Sequence, residues 1–136
     1  MEKLRKFFRS GAGEFLGAAI VLPFIMAIIM FIVNIFQIAM CEQELIYAAY
    51  SCGREAVISY DYESAEANAQ AWKDAHFAGD GIDVSIDPKE IAWIKGNVLM
   101  VTAEKDLKPV LGIQSGVHAR KVAMMIEHSK WTDEVH

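Results

Sequence analysis

The chain predicts an α+β fold: a long N-terminal transmembrane helix continuing into an ectodomain helix packed on a small three- to four-stranded antiparallel sheet. Three observations carry this expectation. Phe15 to Val33 holds no charged or polar side chain. Cys41 to Ala75 has no proline, one glycine (Gly53) and frequent alanine. From Ile82 onward the apolar residues alternate with a period of two, the spacing of half-buried strands.

The apolar run comes first. At about 1.5 Å per residue it reaches roughly 28 Å, close to the hydrocarbon thickness of a bilayer. Hydrophobic residues make up 54% of the chain and the mean hydropathy is +0.22, with much of that concentrated in this block. A chain of 136 residues has room for one domain and could hardly cover a helix that is apolar on every face. The run exceeds the ~7–15 residues of a signal-peptide core, and no small-x-small cleavage site follows. Met40 also stands where a lipoprotein signal needs a small residue before Cys41. A retained anchor is therefore expected, spanning residues 13–40.

Orientation follows from charge. Lys3, Arg5, Lys6 and Arg9 stand against Glu2 ahead of the run, a net of +3, so the remainder of a chain of net −5 carries −8. The positive-inside rule places residues 1–12 in the cytoplasm and the acidic remainder outside the cell membrane. An acidic ectodomain repels phosphates and argues against nucleic acid as a partner.

The second element is a helical extension over residues 41–78. Cys41, Leu45, Ala48, Cys52 and Ala56 recur at three- and four-residue steps, one stripe of a helix. One helix or two collinear ones are expected to about Ala75, with a kink near Pro23. Gly53 and the Ser59-Tyr60-Asp61-Tyr62 stretch are places where the second half bends or breaks. On a continuous helix Cys41 and Cys52 lie ~16 Å apart, too far for an intrachain disulfide. They serve either as small residues in a packing seam or as intermolecular bridges. Asn34 and Gln37 either mark the emerging interface or bond to another helix.

A small antiparallel β domain is expected over 79–128, followed by a polar tail over 129–136. Gly79-Asp80-Gly81 is a turn signal. Ile82, Val84 and Ile86 alternate with Asp83 and Ser85, and Asp87-Pro88 ends that strand. Ile91-Ala92-Trp93-Ile94 is a short apolar piece of strand character. Gly96-Asn97 reads as a tight turn, Val98 to Ala103 as a strand, Lys108 to Ile113 as a turn or short helix, and Val117 to Glu127 as the last strand. The helical extension supplies the layer that a small sheet lacks.

Catalytic machinery is not legible. His76, His118, His128 and His136 lack metal-ligand spacing, and no nucleophile elbow, P-loop or dinucleotide fingerprint is present. No cofactor, metal or enzyme activity is expected.

The order of these pieces resembles type IV pilin-like proteins, most closely the TadE-like minor pilins of tight-adherence pilus systems. The likeness rests on Glu14-Phe15, Val21-Leu22-Pro23, Ala48-Ala49 and Arg54-Glu55-Ala56, then Gly96 to Thr102, Leu107 to Gly112 and Ala123 to Glu127. It covers nearly the whole chain. The resemblance implies a structural, non-catalytic subunit of a surface filament or secretion machine. Its partners would be the lipid bilayer and other pilin-like subunits or secretion-machine membrane proteins, in a homo- or hetero-oligomer. It also implies a processing region at Ser10, Gly11 and Gly13. Glu14, Gly17, Cys41 and Cys52 become helix-packing or assembly residues. Glu14 would pair with a neighbour's new N-terminal amine; otherwise it is a surface acid at a helix N-terminus. Gly17-Ala18-Ala19 offers a small-residue face. The family places glycine before the peptidase cut, whereas counting back from Glu14 puts Arg9 there. The chain is expected to be a processed subunit, an uncleaved accessory subunit of a conjugation or secretion apparatus, or an unrelated anchored domain that binds an extracellular ligand.

Overall fold

The computed structural model describes residues 1–9, 11–87 and 93–128. Three helices, α1 (Glu2–Arg9), α2 (Gly11–Val57) and α3 (Tyr62–His76), precede three strands, β1 (Ile82–Asp87), β2 (Val98–Leu107) and β3 (Gly116–Met125). The architecture is α+β, a long apolar helix followed by a three-stranded antiparallel sheet of order β1-β2-β3.

The basic start, expected only to precede the helix, is itself helical as α1. Glu2 lies in its first turn and Lys6 and Arg9 in its last, matching the helix dipole. Pro23 lies inside α2, which continues through it to Val57. Its missing N–H leaves the Ala19 carbonyl without an intrahelical donor.

The expected collinear extension is not what forms. After Val57 the chain turns, and α3 runs back along α2, bringing Phe77 edge-on to Tyr47 with ring centroids 5.9 Å apart. The turn is built by side chains that compete with helical bonding. Ser59 donates its hydroxyl to the Glu55 carbonyl (3.2 Å) and accepts Asn68 Nδ2 (2.8 Å). Asp61 caps α3 by accepting Ser64 N–H at 2.7 Å. Trp93 Nε1 donates to the Ser59 carbonyl at 2.8 Å, which ties the segment before β2 to the same corner.

β1 follows the two-residue alternation, whereas in β2 Val101, Thr102 and Ala103 are buried in succession. Ile82, Val84 and Ile86 are buried while Asp83, Ser85 and Asp87 face out. β2 is longer than expected, extending to Leu107. Its pairing with β3 runs from Val98↔Met125 to Leu107↔Gly116, whereas β1 pairs only with Met100 to Lys105. The β2–β3 hairpin therefore projects beyond β1. Trp93 and Ile94 are not in a strand; Pro88, Ile91, Ala92 and the tail from Ser129 lie outside the described residues.

The core lies between the sheet and the second half of α2, with α3 closing one side. It joins Leu45, Cys52, Leu99, Val101 and Ile126 to a set of alanines, including Ala48, Ala56, Ala65 and Ala69. Small side chains let the two helices and the sheet approach closely. Gly53 lies at one such close approach: a Cβ there would overlap Met124 Sδ and lie 3.1 Å from Val101 Cγ2.

Candidate functional site

Two features of α2 distinguish this chain: its exposed apolar half and the way the head is fastened to it. Every residue from Ala18 to Val33 is exposed, among them Phe24 and Ile28, and Phe36 is exposed beyond the run. This helix is long and apolar enough to cross a membrane. Exposing so many large apolar side chains to water is strongly unfavourable, at about 25 cal/mol per Å² of apolar surface.

The head is fastened along one stripe of α2. Sequence periodicity places that stripe from Cys41 onward, and the structure extends it back to Asn34. Asn34 is only 1% exposed. Its Nδ2 donates to the Ile113 carbonyl (3.4 Å) and its Oδ1 accepts Leu111 N–H (3.1 Å). Gln37 Oε1 accepts Val110 N–H at 3.0 Å. Within the chain both side chains hold the tip of the β2–β3 hairpin. One and two turns further on, Arg120 pairs with Glu42 (2.6 Å) and Lys105 with Glu44 (2.8 Å). The hydrogen bond from Lys105 to Glu44 raises the lysine above its ordinary value, against the opposing effect of burial.

The residues singled out for processing and assembly fall into separate groups. Ser10 lies outside the described residues. Gly11 is exposed at the start of α2, Gly13 is buried, and Glu14 is exposed in the first turn. Gly17 is half-buried with open space where a Cβ would project. Cys41 and Cys52 are free thiols buried in the chain's own core, 3% and 0% exposed. Burial pushes the Cys52 thiol up to about 11.

Among the described residues, no group of three or more His, Cys, Asp or Glu side chains is placed to hold a metal ion. His118 bonds through Nε2 to the Gln114 carbonyl (2.7 Å), and His128 lies against Tyr60 with centroids 5.6 Å apart. What the arrangement offers is a rigid connection between an apolar rod and a polar head. No family model, curated protein or solved structure matches the chain.

Proposed function

We propose that this chain is a single-pass membrane protein and a structural, pilin-like subunit of a surface filament or secretion machine. Its N-terminus lies in the cytoplasm and its α+β head outside. The observation that carries this reading is α2 itself. A helix bare and apolar on all sides from Ala18 to Val33 runs, without a break, into the core of a folded head. Lipid tails or other apolar helices are the surroundings in which such a half-helix is stable. The likeness to TadE-like minor pilins supports the second surrounding as well as the first. Further support comes from Met40, Ile46, Tyr47 and Tyr50, which remain exposed along α2 beyond the apolar run. Such a strip suits packing against a neighbouring helix.

Arg9, at the position where the family has glycine, favours a second form of the same reading: an uncleaved accessory subunit that stays anchored. Membrane fractions expressing the full chain separate these outcomes. The protein is expected to resist alkaline carbonate and to lose its head to protease added from outside. Release by carbonate overturns the membrane reading. N-terminal sequencing then decides between a new terminus from Ser10 to Glu14 and an intact start.

A further inference from the structure

We infer that the tip of the β2–β3 hairpin, Pro109 to Ile113, is a second membrane contact that seats in the headgroup–acyl boundary beside the span. This rests on the reading of α2 as a membrane span and adds to it a defined depth and tilt for the head.

The tip is apolar where a loop facing water is ordinarily polar. Val110, Leu111 and Ile113 are each roughly half exposed, at 51%, 42% and 45%. Their level along α2 is set by the bonds already described. Asn34 immediately follows the apolar run and holds Leu111 and Ile113, and Gln37 one turn later holds Val110. Ile113 shares a cleft of about 450 Å³ with Phe31, Ile35 and Ile38 of α2. Phe31 belongs to the run itself, so the tip reaches the last turn of the segment that would lie in lipid. The hairpin projects past β1 toward that end of the helix.

Three of the four backbone N–H groups from Val110 to Ile113 are already paired within the chain. Pro109 has no N–H to satisfy. Val110 and Leu111 donate to Gln37 and Asn34, Gly112 N–H bonds the Pro109 carbonyl (2.8 Å), and Ser115 N–H bonds the Gly112 carbonyl (3.3 Å). An unpaired backbone group is costly where water is scarce, and a loop in open water has no need of such internal pairing. Polar α2 side chains directed to the loop backbone, with apolar loop side chains directed outward, fit a lipid boundary. Lys108, exposed at the entry to the tip, lies where its ammonium can reach headgroup phosphates while its stem remains along the apolar surface.

The test uses the full chain with Cys41→Ala and Cys52→Ala, carrying one new cysteine labelled with a small environment-sensitive fluorophore. Leu111→Cys reads the tip, Phe24→Cys the span, and Lys95→Cys the far end of the sheet. Chains are reconstituted singly in phosphatidylcholine–phosphatidylglycerol nanodiscs. Quenching is compared for nitroxides near the headgroup, nitroxides at the acyl terminus, and aqueous iodide. The expected result is blue-shifted Leu111 emission lost to the shallow nitroxide and little affected by iodide, Phe24 emission lost to the deep nitroxide, and Lys95 emission lost to iodide. If Phe24 is quenched by lipid while Leu111 responds to iodide alone, the loop contact is overturned and the span stands. If Leu111 escapes both quenchers because another protein copy covers it, the lipid assignment is likewise overturned. If Phe24 is not quenched by lipid, the span reading and this one fall together. Leu111→Trp in the otherwise unaltered chain, read with brominated lipids as the quenching in excess of that of the parent chain with its three tryptophans, tests the tip without changing the core cysteines.

Discussion

Cys52 shows how the position of one atom determines a pH response. Its thiol is held in an apolar seam, and its ionisation moves from 9.0 to about 11 because the thiolate would be poorly solvated there. A folded-state value above the unfolded one means that the folded chain holds its proton more tightly. The stability linked to it is complete below pH 9 and is lost as pH rises through 11. The ceiling on that loss is about 2–3 kcal/mol, from ~1.4 kcal/mol per unit. Lys105, raised by its bond to Glu44, contributes in the same alkaline direction. Denaturant midpoints are therefore expected to fall between pH 9 and pH 11, and Cys52→Ala is expected to flatten that fall. An unchanged slope in the variant would assign the alkaline loss elsewhere. The same burial keeps Cys41 and Cys52 away from the surface that a disulfide to another chain would require.

At the scale of elements, the corner between α2 and α3 depends on Ser59. Its hydroxyl and carbonyl serve α2, α3 and the segment before β2 at once. Ser59→Ala leaves Asn68 without that acceptor and is expected to cost about 1–2 kcal/mol, measured as a lower denaturant midpoint with the m-value unchanged. A cost near zero would mean that water replaces the hydroxyl without loss. This corner also shows where sequence reading stops. The alternation of Ile82, Val84 and Ile86 with polar residues is a local signal, and β1 follows it. The Cys41-to-Ala56 stripe is equally local, and it is the face α2 turns to the sheet. The reversal of α3 was only partly legible: Ser59 and Asp61 are visible as breakers, yet an alanine-rich helix looks the same whether it continues or folds back. The roles of Asn34 and Gln37 were not legible, because their partners at Val110, Leu111 and Ile113 are distant in the chain and no periodicity connects them.

For the whole molecule, two parts with different supports share one helix. The head is held by a core of its own, whereas the bare half of α2 depends on its surroundings. Heating the detergent-solubilised chain is expected to melt the sheet cooperatively while helical circular dichroism from roughly the apolar run persists, since that run is not buried in the head's core. Loss of all helical signal in the same transition would show that the bare half needs the head to stay folded.

The uninterrupted course of α2 has a mechanical consequence. A head on a flexible tether samples many directions, but this one is keyed to its shaft, with no swivel between Val33 and Val57. Turning the shaft turns the head by the same angle. A single residue added within the apolar run would swing the head about 100° relative to the shaft's lower half and displace it ~1.5 Å. The face that β3 presents to its surroundings is thus dictated by whatever grips the greasy end.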